Sequence, residues 1–415
     1  MQRRDFLSSF TGIATALSVG LPNTFAGNQA DDPGIRIQQP FHGAVLHRRL
    51  GEPVVGVLEA PNGTPVALKI KVSGEASPGT AVTVNGVKCH RNGKTFEAEI
   101  ELLQKTNDIL VKSTSASGEA LESQIRVLWL KNSVPRYRFT IDDTIYCLRE
   151  IHRNGYKSLF DDYFLGNLRK LHQKYGTKVA LNLFYETSND RDYLTVEREH
   201  FDLSQFSDRY KSEWLDNADW LRLLFHAKRE HPGEPYKDAS ADTLISDFVE
   251  LEREVKRFAG EETYLPATVI HWGTIRPATY TPLAAHGVTV LSGYFIRYQG
   301  GDYYVHYQMD VPRCDYLNKH DFLLDVDSGI VFSKMDMVIN LVPLQDVVPT
   351  LEKTIADPNT AEFVDLMTHE QYFWPFYKNY IPDHWDRLDR AFAFLTERGY
   401  RPVFMNDPPL GLDEA

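Results

Sequence analysis

The pattern of apolar and polar residues changes character near residue 130. From Ile35 to about Trp129, short alternating runs such as Ala81-Val-Thr-Val84 and Phe96-Glu-Ala-Glu-Ile100 are punctuated by Pro61-Asn-Gly63, Asn85-Gly86 and Asn92-Gly93. Period-two alternation broken by Asn-Gly pairs predicts strands joined by hairpins, and their close spacing predicts a β-sandwich. Lys131-Asn-Ser-Val-Pro135 reads as a short hinge. Beyond it, strands alternate with helices. Phe164, Leu165, Leu168, Leu171 and Tyr175 share one helical face closed by Gly176, and Leu244, Phe248, Leu251, Val255 and Phe258 share another before Gly260. Leu388, Ala391, Phe392 and Leu395 make a last one before Gly399. Between them lie strand candidates: Tyr137 to Ile141, Val179 to Tyr185, Leu221 to Phe225, Ala267 to Ile270, Gly287 to Leu291, Phe363 to Met367 and Tyr400 to Phe404. Repeated strand-helix units over about 280 residues predict a β/α barrel, whole or partial. The tyrosine-rich stretch from Tyr294 to about Leu323 reads as an insertion over one end.

Composition narrows the field. A chain of 415 residues with 42% hydrophobic and 25% charged residues is globular and long enough for more than one domain. A formal net charge of -12 gives no general attraction for nucleic acid or anionic membrane. Cys89, Cys147 and Cys314 are far apart and form neither a disulfide framework nor a zinc ribbon. At the start, Arg3-Arg4-Asp5-Phe6-Leu7 precedes an apolar segment to about Leu21 and a small-residue exit at Thr24-Phe25-Ala26. That order is an export signal of twin-arginine type over residues 1–30, which predicts a periplasmic or extracellular protein without stable membrane insertion.

Chemistry gathers at the predicted strand ends. Arg138-Phe-Thr-Ile-Asp-Asp-Thr144 delivers two adjacent carboxylates, Leu221 to Phe225 ends at His226, Ala267 to Ile270 ends at His271, and Phe363 to Met367 leads to His369-Glu370. Enzymes with parallel strands keep reactive groups there. Side chains of Asp142 and Asp143 point to opposite sides in extended chain, so one is free to bind an ion while the other, turned as the strand ends, acts as a base. Asp161-Asp162 is read as a helix cap.

At these residues the chain resembles the polysaccharide deacetylases of the NodB-homology type, over about residues 136 to 405. The family's Thr-Phe-Asp-Asp-Gly motif appears as Thr140-Ile141-Asp142-Asp143-Thr144. The resemblance implies that Asp142 is the base and Asp143 a metal ligand. A His-x-x-x-His-Pro motif is met by His226 and His231-Pro232 with one residue more between the histidines, Arg276-Pro277 stands for Arg-x-Pro-Tyr without its tyrosine, and Leu366-Met-Thr-His369 resembles Leu-x-His. His369 is thereby implied as the proton donor to the leaving group. Glu370 is a further catalytic candidate, either orienting His369 or acting directly. The third metal ligand is His271 or His231, with His271 weighed first because it lies on a strand end. An Asp-His-His set suits Zn²⁺ or a similar divalent ion with positions left open. Trp272, Tyr294 and Tyr372 are candidates to stack on sugar rings.

The expected architecture is multidomain: an immunoglobulin-like β-sandwich at 35–130, similar to the accessory domains of secreted glycan-active enzymes, then a partial, seven-stranded type β/α barrel at 136–410 of the deacetylase and glycoside hydrolase kind. The expected function is metal-dependent removal of acetyl groups from a poly- or oligosaccharide. Two alternatives stand beside it: a glycoside hydrolase pairing Glu370 with Asp142 or Asp336, and an inactive glycan-binding relative. Nothing in the sequence fixes the oligomeric state.

Overall fold

A computed structural model describes residues 34–188, 193–297, 301–407 and 410–411. The export signal read over residues 1–30 lies outside the described residues.

The N-terminal strands form two sheets. Ile35–Gln39, Pro65–Ala76, Thr95–Leu102 and His90–Asn92 make one, with Val54–Glu59 on Pro65–Ala76; Val45–Leu46, Ala120–Trp129, Thr106–Thr114, Ala81–Val84 and Val87–Lys88 make the other. Thr95–Leu102 alternates strictly between exposed and buried, and its buried set (Phe96, Ala98, Ile100, Leu102) meets Val82, Ile109, Val111, Ile125 and Val127 of the second sheet in one core. The Asn-Gly signal is realised as expected: Asn85 and Gly86 both take positive φ (45° and 84°), the left-handed geometry that a two-residue hairpin between right-twisted strands requires.

The expected hinge is no free joint. Val45 and Leu130 share an apolar cluster with Phe322, Val331 and Phe363, Phe41 stacks on Tyr316 at 4.7 Å, and Arg136 bonds back to Ser133 Oγ at 3.1 Å. The buried Glu362 carboxylate draws Arg49 to 3.6 Å from one unit and Arg136 to 3.7 Å from the other. Burial of Ser133 and of this apolar set fixes the sandwich on the second unit.

That second unit is mixed α/β. Its main sheet runs Tyr264–Leu265, Leu221–Ala227, Val179–Phe184, Arg136–Thr144, Phe363–His369, Met337–Val338, all parallel, with Arg401–Pro402 beside the start of Arg136–Thr144. A smaller sheet holds Val290–Gly293, Val331–Lys334 and Phe322–Leu324. Backbone bonds from Ser292 N to Thr268 O (2.7 Å), Met335 N to Gly293 O (2.8 Å) and Asp336 N to Asp365 O (2.9 Å) join the two.

Three strand expectations shift. Ala267 to Ile270 bends at Thr268 and forms no ladder: Pro266 lacks the N–H that would carry pairing past Leu265, and the Val269 carbonyl is taken by His226. The strand placed at Gly287 to Leu291 is Val290–Gly293, and Tyr400 to Phe404 shortens to Arg401–Pro402. The helices stand nearly as read. Asp162 caps Tyr163–Tyr175 through the N–H groups of Phe164 and Leu165, Gly176 ends it at φ 69°, Ser240 caps Ala241–Phe258, and His384–Glu397 precedes Gly399.

Alternation along Arg136–Thr144 decides which side chains meet the helices. Tyr137, Phe139 and Ile141 enter the main apolar core, while Arg138, Thr140 and Asp142 face the other way. On that inner face Arg138 Nε lies 2.6 Å from Asp365 Oδ1, and Asp365 Oδ2 accepts hydrogen bonds from Ser292 Oγ (2.7 Å) and Ser333 Oγ (3.1 Å). Polar contacts therefore bind the smaller sheet to the larger.

His47, at the junction of the two units, gives a stability test. Burial, helped by Arg136 and Arg49, holds its imidazole down to about 3, so its Nδ1, 4.0 Å from Glu362, carries a lone pair rather than a charge. The unfolded chain protonates it below about 6.5, so this contribution to stability is whole above that pH and is lost as pH falls toward 3. Asp162 and Asp336, raised to about 7 mainly by burial, act with the opposite sign, so the comparison must be with a variant. Between pH 7 and pH 5, wild type should lose about 2 kcal/mol more than His47→Gln in urea unfolding; parallel pH curves would refute the assignment.

Candidate metal centre

Asp142 and Asp143 leave their strand by a bulge. Ile141 pairs with Leu181, the next pairing is Thr144 with Leu183, and Asp143 between them takes φ 60°. Left-handed backbone is costly for most residues and tolerated by aspartate. Its effect corrects the expectation that the two side chains diverge: the bulge turns Asp143 to the same side as Asp142. Asp143 Oδ1 then lies 3.3 Å from His226 Nε2, and Asp142 Oδ2 lies 4.0 Å from the same nitrogen.

His271 completes the group from the segment after Pro266. Its Nδ1 is 3.2 Å from Asp143 Oδ1 and 3.1 Å from His226 Nε2. Among the described residues, Asp143, His226 and His271 are the one set of three such side chains with ligand atoms close enough to share an ion, and all are buried. His231, the rival third ligand, stacks on Tyr193 outside this cluster.

The donor set fits a divalent ion. Zinc bonds of about 2.0–2.1 Å at tetrahedral angles place neighbouring ligand atoms about 3.3–3.4 Å apart, close to the three separations here. His226 Nδ1 lies 2.9 Å from the Val269 carbonyl and donates to it, which leaves Nε2 with its lone pair toward the cluster. Asp143 Oδ2 accepts from Gln371 Nε2 at 3.0 Å, leaving Oδ1 for the cluster. Burial pushes His271 below the usual imidazole range, whereas for His226 burial is outweighed by Asp142 and Asp143 and the shift is upward.

Two titratable side chains, Asp142 and His369, flank the cluster. Asp142 Oδ1 accepts from Asn182 Nδ2 at 2.6 Å, and burial raises its carboxyl above the ordinary range despite His226 and Asn182. A raised pKa makes a stronger base. Asp142 and His369 are register partners on adjacent strands, so the two stand about 5 Å apart at the backbone. His369 Nδ1 donates to Asn340 Oδ1 at 3.0 Å, and this oxygen also accepts from Thr368 Oγ1 at 3.1 Å. The cavity is lined by the cluster, Asp142, Asn340 and His369, and Trp272, Tyr294 and Tyr372 also lie on its wall.

Glu370 stands elsewhere. Fully buried and outside the cavity lining, it accepts from the backbone N–H of Ile145 (2.7 Å), Tyr146 (2.7 Å) and Cys147 (2.5 Å) and from Trp374 Nε1 (3.2 Å). Those amides open helix Tyr146–Asn154, whose N-terminus favours an anion. Glu370 thus does not orient His369; Asn340 does. Asp336 likewise lies outside the lining, its carboxylate accepting from Asp365 N. Asn182, Asn340 and Gln371 were not singled out from sequence. The available signal was an amide at an inward position of an apolar run, as in Val179-Ala-Leu-Asn182-Leu-Phe184.

Glu370→Ala should strand the three helix-opening amides and lower stability by about 3 kcal/mol in urea unfolding. An unchanged midpoint would show that these contacts carry no weight.

No protein-family model and no curated protein matches the chain. Solved structures similar to it include a polysaccharide deacetylase from Bacillus cereus, 11% identical over 63% of this chain and 89% of that one with a TM-score of 0.24. A GH5 xyloglucanase from Bacteroides ovatus is 8% identical over 86% of this chain and 100% of that one, with a TM-score of 0.29. Both TM-scores lie far below that of a shared fold, so the chemistry of the site is read from its own atoms.

Proposed function

We propose that the chain is a metal-dependent hydrolase that removes acetyl groups from a glycan. The observation that carries this reading is the buried triangle of Asp143 Oδ1, His226 Nε2 and His271 Nδ1, with sides of 3.1–3.3 Å, flanked by Asp142 and His369. Asp143, His226 and His271 would hold the ion. A divalent cation such as Zn²⁺ supplies Lewis acidity there, polarising a carbonyl and making water acidic enough to react near neutral pH.

The remaining steps belong to the chain. Asp142, its Oδ1 held by Asn182, takes the proton of the attacking water at Oδ2. His369, its Nδ1 proton held by Asn340, gives a proton from Nε2 to the departing amine or alkoxide. The apolar surroundings of the cluster, with Phe184 edge-on to His271 at 5.0 Å, exclude bulk water and strengthen each electrostatic contact. In this reading the sandwich at 35–130 is an immunoglobulin-like spacer, the unit at 136–410 a partial barrel, and residues 1–30 direct export to the periplasm or beyond. Asp142 and Asp143, the carboxylates on the cavity lining, are adjacent and both turned to His226, which suits a metal ligand and a base rather than the flanking pair of a glycosidase.

Elemental analysis and acetate release from acetylated glycans test the assignment. Asp143→Ala should lose both metal and turnover; Asp142→Asn should keep the metal and lose turnover by about 10²–10⁴-fold. Shortened chains without acetate would select the glycosidase, and glycan affinity with neither metal nor hydrolysis would select the inert binder.

A further inference from the structure

Beyond the cluster, the cavity wall changes character. Met335, Val338 and Met367, with Tyr294 and Leu341 against them, form an apolar cluster separate from the main core, and all five line the cavity. Their place follows from register. Met367 precedes His369 by two residues on the same strand, so both project from one face, about 6.6 Å apart. Val338 is the register partner of Met367 on the next strand. One level further toward the strand starts, Asp365 closes the inner face through its ion pair with Arg138. The apolar wall thus lies beside the proton donor, between it and a buried charged layer.

Two features say what such a wall takes. Apart from Asp142, His369, Asn340 and the three cluster ligands, the polar side-chain groups on the lining are the hydroxyls of Tyr294, Tyr304 and Tyr372 and the Trp272 indole, and the stretch of Met335, Val338, Leu341 and Met367 carries none. A sugar ring brings several hydroxyls that lose their water partners on entry, and aliphatic side chains return none of those hydrogen bonds. Unbranched Met335 and Met367 adapt to a flexible aliphatic guest.

We propose that the site, besides acetyl, takes and prefers an acyl group with a short aliphatic tail, butyryl-like, seated against Met335, Val338, Leu341 and Met367, while the sugar stays at the mouth near Trp272 and Tyr304. This rests on the hydrolase reading above. The bond broken is the acyl carbon to nitrogen or oxygen bond; water supplies the oxygen of the released carboxylic acid, and His369 supplies the proton of the departing amine or alcohol.

The test uses the full chain loaded with Zn²⁺ and a matched series of acetyl, butyryl and hexanoyl groups on glucosamine and on p-nitrophenol. Wild type should show kcat/KM at least tenfold higher for butyryl than for acetyl on both carriers, and Val338→Phe should reduce that ratio several-fold. Equal or higher kcat/KM for acetyl in the wild type overturns the tail assignment and leaves the hydrolase reading standing. Absence of hydrolysis across the series, with metal bound, overturns both.

Discussion

The site depends on one buried carboxylate that lies outside its cavity. Glu370 follows His369 directly in sequence, and its oxygens hold the N–H groups of Ile145, Tyr146 and Cys147, which follow the two aspartates. One side chain therefore ties the end of the strand that carries His369 to the turn that leaves the strand of Asp142. The helix it caps offers unsatisfied amides, and buried amides demand an acceptor, so the contact is both strong and directional. Asp143, in left-handed backbone two residues before the clasp, is held in a conformation that a loose strand end would relax.

Below the site, the inner face of the sheet is built in polar layers. Arg138 with Asp365, then Thr140, then Asp142 with Asn182 succeed one another across three neighbouring strands, while Tyr137, Phe139 and Ile141 pack the helical side. A buried ion pair gains little net stability over an apolar pair of similar volume. What Arg138 and Asp365 do here is geometric: Asp365 also takes the hydroxyls of Ser292 and Ser333, so the smaller sheet is located by hydrogen bonds whose directions admit one arrangement. That arrangement sets Met335 and Val338 beside Met367 on the cavity wall.

Sequence periodicity was enough to see the strands that carry Asp142, His226 and His369 and the helices behind them, because alternation and helical spacing both report burial. It was not enough to see the bulge. Extended chain predicts divergent aspartates, and nothing in Thr140-Ile-Asp-Asp-Thr144 announces the extra residue that turns Asp143 inward. Glu370 misled for a related reason: next to a histidine at a strand end it looks reactive, and its partners, the amides at 145–147, lie more than two hundred positions away. The strand read at Ala267 to Ile270 failed locally, since Pro266 ends the ladder, yet His271 still reaches the cluster because this segment runs alongside the sheet through the Ser292 to Thr268 bond. Long-range placement, not local preference, was what the pattern could not carry.

The three amides that went unnoticed obey a common rule. Asn182 holds Asp142, Gln371 holds Asp143, and Asn340 holds His369. Each fixes a functional group without adding charge. With a divalent ion held there, its two positive charges would meet the two negative ones of Asp142 and Asp143, with His226 and His271 as neutral ligands. A carboxylate at 371 would face Asp143 Oδ2 and Glu230 together and repel both, whereas the amide donates to both. A carboxylate at 340 would favour the charged imidazole of His369 and weaken it as an acid; the neutral oxygen holds the same Nδ1 proton with less pull. Neutral amides around charged groups let a buried site be rigid and still electrically level, which a low-dielectric interior enforces more strictly than water would.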